Sequence, residues 1–117
     1  MRLWIGMSSE ELLRQVMNTM GYTGEKAPAI FDSFQNFNKT VMSTGNLDNK
    51  TKELIAIALS LASTCEWCIT YHVKMALDSG ATQEEIIEAS FVAVLMAGAP
   101  ALMHMQILKD AIESFGK

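Results

Sequence analysis

An all-α fold of about six helices is what this sequence predicts. Three observations carry that reading. Two complete capping boxes punctuate the chain, apolar residues recur every three or four positions, and the strict alternation of a strand is almost absent.

Ser8 with Glu11 forms the first box, ahead of Leu12, Leu13, Val16, Met17 and Met20, and Gly21 reads as the stop of that helix. Pro28 suits the first turn of a second helix. Its Ile30, Phe31, Phe34, Phe37 and Val41 recur at helical spacing and are expected to face the core, with Gly45 as the terminator. Asp48 caps a third helix from about Asn49 to Ser63, whose stretch from Leu54 to Ala62 is apolar on nearly every side. A fourth helix starts around the two cysteines and stops at Gly80. Thr82 with Glu85 makes the second box and opens a fifth helix through Ile86, Ile87, Ala89, Phe91, Val94 and Leu95. Pro100, just after Gly98, starts a sixth that ends near Phe115 and Gly116.

At 117 residues, 1–117 reads as a single domain, large enough for one core. A hydrophobic half of the composition excludes a disordered chain. The net charge is −4 and the basic residues are scattered, so no stripe is present for a phosphate backbone and nucleic acid is not an expected partner. Met1 to Met7 holds no apolar run of signal-peptide length, which points to a cytoplasmic protein. The uncharged stretch from Ala89 to Leu108 approaches the length of a membrane span, but Gly98 and Pro100 interrupt it, and two short helices explain it better. The third and fifth helices need cover on more than one side, so self-association is expected, with nine methionines available as adaptable filler.

Chemistry concentrates in Cys65-Glu66-Trp67-Cys68-Ile69-Thr70-Tyr71-His72. Without an export signal, a close cysteine pair reads as catalytic or metal-binding rather than as a structural staple. On a helix beginning here, Cys65 sits at the N-terminal edge, and Cys68 and His72 are i,i+4 neighbours on one face. Both the helix N-terminus and an imidazole favour a thiolate. Lowering a thiol pKa from about 8.5 to about 7 raises the ionised fraction at pH 7 from roughly 3% to roughly 50%. Falling nucleophilicity takes back about fivefold of that gain. A positioned proton donor contributes about 10² to 10⁴, so His72 is worth more as a proton relay than as a counter-charge. If the third and fourth helices form an antiparallel hairpin turning near Thr64, Glu53 falls about 16 Å from the turn and His72 about 12 Å, at 1.5 Å per residue. Glu53 is therefore the candidate to orient His72, directly or through water. Ser60 shares its face and is a candidate for the pocket wall.

Glu53, an eleven-residue gap, and then Cys65-x-x-Cys68-x-x-x-His72 resembles the signature of alkyl hydroperoxidase D-like proteins of the carboxymuconolactone decarboxylase family. The likeness runs from about Phe31 to Ala111 and includes Gly45-Asn46-Leu47-Asp48 and the segment from Gly80 to Ile86. It implies an all-helical fold assembling as homotrimers or homohexamers. It also implies thiol-dependent reduction of a peroxide or disulfide substrate without metal, flavin or other cofactor. On the resemblance, Cys65 and Cys68 are the redox pair, Glu53 and His72 the proton relay, and an external dithiol, protein or small thiol, restores the pair. Trp67 stands where some members carry a second histidine. The lactone decarboxylases that name the family typically lack the cysteine pair.

Other readings of the same residues stay open at the level of sequence. Cys65, Cys68 and His72 supply three zinc ligands but leave a fourth unassigned. The cysteines also fit as small buried hydrophobes, and Glu53 as a solvated first-turn glutamate. His104 has no sequence partner and reads as structural, while Trp67 and Tyr71 read as packing or covering groups. Decarboxylation or isomerisation of a small lactone is the alternative enzymatic function, and a non-catalytic oligomeric binding protein the alternative outside enzymology.

Overall fold

Both capping boxes close as the residue types dictate. Ser8 Oγ accepts from the Glu11 amide at 3.2 Å and Glu11 Oε1 accepts from the Ser8 amide at 2.8 Å. Thr82 and Glu85 repeat the exchange at 3.1 and 2.9 Å. Asp48 Oδ1 accepts from the Thr51 amide at 2.7 Å, and the Thr51 hydrogen bonds hold the Asp48 carboxyl below its usual pKa. Each cap satisfies a helix N–H that has no partner inside its own helix.

The structure, a computed structural model, describes residues 6–116. The opening segment read above as lacking an export signal falls largely at 1–5, outside the described residues. Six helices follow in order: α1 (Ser9–Lys26), α2 (Pro28–Met42), α3 (Asn49–Ala62), α4 (Glu66–Asp78), α5 (Gln83–Ala97) and α6 (Ala99–Phe115). No strand occurs among the described residues.

Gly21 does not end α1, which runs on to Lys26. A glycine inside a helix costs only about 1 kcal/mol relative to alanine, and the flanking helical turns absorb that. The break comes at Ala27, with φ −141° and ψ 66°, because the ring of Pro28 disfavours helical geometry in the residue before it. Gly24 lets the two helices close up, since a Cβ there would lie 3.1 Å from the Phe31 ring. α2 ends at Met42, ahead of the expected Gly45. There Asn49 Nδ2 donates to the Met42 carbonyl at 2.7 Å and Lys52 Nζ to the Ser43 carbonyl at 2.6 Å, tying the loop to the start of α3.

α3 packs along α4 and α5, α6 closes over α4 and α5, and α1 crosses α4. Ile57 and Leu61 from α3, Ile69 and Val73 from α4, Ile86 from α5 and Leu108 from α6 form the core, with Leu12 of α1 inserted at its edge. Each such side chain contributes about 1.5–3 kcal/mol by leaving water. Gly98 makes the joint between α5 and α6 at φ 79°, ψ −156°, a backbone region open essentially to glycine alone. It divides the uncharged stretch, and no described helix is long and apolar enough to cross a membrane.

The aromatic stripe of α2 is not core. No residue of α2 is buried, and Ile30, Phe34, Phe37 and Val41 are exposed. The reason is position: α2 leans mainly on α1 at the margin of the bundle, so period alone gave a face without a partner to cover it. α5 buries Ile86, Ser90 and Ala93 while leaving Leu95 81% and Met96 80% exposed. A helix apolar all round has one face covered and another bare.

Candidate active site

The turn between α3 and α4 places the cysteines. Thr64 takes a left-handed φ of 54°, its amide donating to the Leu61 carbonyl at 3.1 Å. The Cys65 amide then donates to the Ser60 carbonyl at 3.1 Å. This reversal makes Cys65 the N-cap of α4, with its sulfur accepting from the Cys68 amide at 3.2 Å. A cysteine is an unusual cap. It replaces the hydroxyl or carboxylate oxygen found at such positions with a sulfur bathed in the positive end of the helix dipole. Cys65 and Cys68 are joined as a disulfide, their Cα atoms 5.3 Å apart.

One turn below Cys68 lies His72, and α3 runs back antiparallel beside it. Glu53 Oε1 accepts a hydrogen bond from His72 Nδ1 at 2.8 Å, so the two meet directly and without a water between them. A carboxylate oxygen only accepts, so Nδ1 is the donor and Nε2 is left to take a proton and, once it holds one, to give it back. Glu53 is 5% exposed, which sets aside the alternative of a solvated first-turn glutamate, and His72 is partly open. Burying a carboxylate this deeply is costly unless it is paired. Tyr71 packs its ring edge against His72 with centroids 5.2 Å apart. Burial, and secondarily the Glu53 charge, push the Tyr71 phenol above its ordinary pKa of 10.0.

A cleft of about 550 Å³ opens over this group. Cys65, Cys68, Trp67, Tyr71 and His72 form its floor from α4. Gln15, Val16, Thr19 and Met20 of α1 and Phe34, Gln35 and Asn38 of α2 form its walls. Trp67, half exposed, donates from Nε1 to Gln15 Oε1 at 2.8 Å and so bridges floor and wall beside the disulfide. Sequence reasoning missed all the wall residues as site groups. Gln15 with Thr19 and Gln35 with Asn38 are one helical turn apart, which is a signal only once the two helices are known to face the cysteines.

Ser60, expected in the pocket wall, is not there. Its hydroxyl donates to the Ala56 carbonyl at 2.7 Å within its own helix, and the residue is buried. It acts through its backbone, as the acceptor for Cys65. His104 Nδ1 donates to the Pro100 carbonyl at 2.8 Å in the first turn of α6, away from the cleft. Among the described residues, no group of three or more His, Cys, Asp or Glu is arranged to hold a metal ion.

Fold and site together define an all-helical protein with a disulfide-forming cysteine pair at a helix N-terminus, underlain by a buried glutamate–histidine pair. Residues 28–108 match the carboxymuconolactone decarboxylase family, and the chain belongs to it. A crystal structure of a carboxymuconolactone decarboxylase family protein from Legionella pneumophila superposes with a TM-score of 0.89 at 32% identity, over 93% of this chain and 97% of that one. The uncharacterized protein 4 in the cox locus of Paracoccus denitrificans is 42% identical over 85 residues, 73% of this chain and 77% of that protein. Alkyl hydroperoxide reductase AhpD of Mycobacteroides abscessus is 29% identical over 58 residues, 50% of this chain and 33% of that enzyme.

Proposed function

We propose that this protein is a thiol-dependent peroxidase and disulfide oxidoreductase of the alkyl hydroperoxidase D type. The observation that carries the reading is the Glu53–His72 hydrogen bond one turn beneath a cysteine pair able to form a disulfide. The partial likeness to an alkyl hydroperoxide reductase agrees with it.

In the reduced protein, His72 Nε2 takes the proton of the Cys68 thiol, and the resulting thiolate attacks the terminal oxygen of a hydroperoxide. A sulfur–oxygen bond forms, the oxygen–oxygen bond breaks, and the departing alkoxide takes a proton from His72 to leave as an alcohol. Cys65 then attacks the Cys68 sulfenic acid, the disulfide forms and water departs. The dithiol has lost two electrons and the peroxide has gained them. An external dithiol restores the pair by exchange, with exposed Trp67 and the helix edge as its point of approach. Glu53 holds the His72 ring and balances the charge it acquires. The working assembly is a homotrimer or homohexamer in the cytoplasm, where reducing dithiols are abundant.

The test is consumption of an organic hydroperoxide by the pre-reduced protein, followed with several dithiol donors and with thiol counting. Two thiols lost per peroxide consumed is the expected stoichiometry. No loss of thiols and no dithiol-dependent turnover would remove the peroxidase reading.

A further inference from the structure

The cleft walls hold an unanswered hydrogen-bonding group. Gln35 Oε1 is shut off from solvent and, among the described residues, accepts no hydrogen bond. Leaving a buried acceptor unmade costs about 1–3 kcal/mol, so such an atom is a candidate for a ligand's donor. Gln35 lines the same cleft as Cys65, Cys68 and His72, one turn before Asn38 on the same wall. Its terminal carboxamide turns about a broad, soft torsion, so swinging the oxygen into the cleft requires no backbone movement.

The remaining walls say what kind of molecule would bring that donor. Val16, Met20 and Phe34 are apolar, and among the described residues no Asp, Glu, Lys or Arg lines the cleft. An ionic ligand would leave water without a counter-charge to meet it, which is heavily unfavourable. A volume of about 550 Å³ admits an organic group well beyond the size of hydrogen peroxide.

We propose that Gln35 is a specificity residue, accepting a hydrogen bond from the hydroperoxyl or hydroxyl group of an uncharged organic molecule held in the cleft between α1, α2 and α4. A hydroperoxide carries such a donor and a diorganyl disulfide does not, so Gln35 favours the former over the latter. The inference rests on the peroxidase reading and names the preferred substrate within it. During the reaction the donor persists, because the oxygen transferred to sulfur remains an O–H in the sulfenic acid.

Binding separates this proposal from the chemistry. The full-length oxidised protein is titrated with 2-phenylpropan-2-ol and with tert-butylbenzene, which differ only by a hydroxyl in place of a methyl, and side-chain amide chemical shifts are read. In Gln35→Met, alcohol affinity should fall threefold to tenfold, the fold-change of one net hydrogen bond, while hydrocarbon affinity holds. Melting of Gln35→Met should be at or above that of the parent, since an unsatisfied buried oxygen is removed. In turnover, Gln35→Met should raise KM for cumene hydroperoxide more than KM for 4,4′-dithiodipyridine, which carries no O–H donor. Equal alcohol binding in parent and Gln35→Met, or an equal loss for both ligands, overturns the proposal. Alcohol binding that depends on Gln35 without any hydroperoxide turnover would uphold the site and reject the peroxidase reading instead.

Discussion

Glu53 and His72 stand nineteen positions apart and meet at 2.8 Å across the α3–α4 hairpin, the carboxylate on the closed side and the imidazole on the cleft side. That polarity gives the pair a direction. In the proposed relay, a proton entering or leaving Nε2 is exchanged at the cleft, while the charge it creates or removes is answered by the buried Glu53 carboxylate. Cys68 lies one turn above His72 and Cys65 two turns above.

Removing the proposed relay groups one at a time should therefore give unequal losses. His72→Ala is expected to slow hydroperoxide reduction by about 10² to 10⁴, the range of a positioned acid–base group. Glu53→Gln keeps the shape and the hydrogen bond to Nδ1 but removes the charge, and should cost less. Steady-state rates beside melting curves check this, with melting changed far less than rate. Equal rates in parent and both variants would leave the cysteines without a proton path.

The two thiols should part company under a sulfenic-acid trap. Cys68→Ser should abolish the first oxidation step and leave Cys65 unlabelled after brief peroxide exposure. Cys65→Ser should give a labelled Cys68 that cannot turn over, because no resolving thiol remains. Mass spectrometry reads both, and label on Cys65 with none on Cys68 reverses the assignment.

Tyr71 sets an alkaline limit on stability. Its folded pKa lies above the unfolded value, so near and above pH 10 the unfolded chain releases a proton that the folded chain retains. Unfolding is then favoured as pH rises through that window, and stability falls. Urea midpoints at pH 9 and pH 11 should converge for Tyr71→Phe relative to the parent. An identical decline in both proteins would mean that Tyr71 is not the group responsible.

The bare apolar faces of α2 and α5 should be covered by further copies of the chain. Phe37, Leu95 and Met96 are each more than 60% exposed, and a surface of that kind marks an association site. Light scattering is expected to give at least a trimer at micromolar concentration, and Leu95→Glu should lower the mass. A parent that stays monomeric would refute this.

Two glycines of opposite meaning give a stability pair. Gly98→Ala should destabilise by about 1–3 kcal/mol from its backbone geometry alone, since the nearest atom to an added Cβ is a Pro100 ring carbon at 4.0 Å. Gly21→Ala should stabilise by about 0.5–1 kcal/mol, being mid-helix with nothing within 4 Å of the added carbon. Denaturant unfolding of both variants measures the difference in sign.

Local signals were legible because they are settled within a few residues. Ser8 and Thr82 cap through side chains three positions away, Pro28 starts a helix at its first turn, and Cys68 and His72 share a face by helical period. The class of fold and the cysteine–histidine string follow from such short-range rules. Gly21 misled because a glycine stops a helix only where the chain needs a left-handed residue, and α1 needed none there. The stripe of α2 misled for another reason: period reports which residues share a face, and not what lies opposite.

By itself, then, the sequence determined six helices, the N-terminal caps Ser8, Asp48 and Thr82, and the presence of Cys65, Cys68, His72 and Glu53 on neighbouring helices. Only the tertiary structure decided that Glu53 is buried and bonded directly to His72, that Ser60 is spent within its own helix, and that Gln15, Gln35 and Asn38 wall the cleft over the cysteines. The physical reason is range. Helix formation and capping are fixed by contacts a few residues apart, whereas burial and the facing of side chains depend on how helices far apart in the chain come to rest against one another.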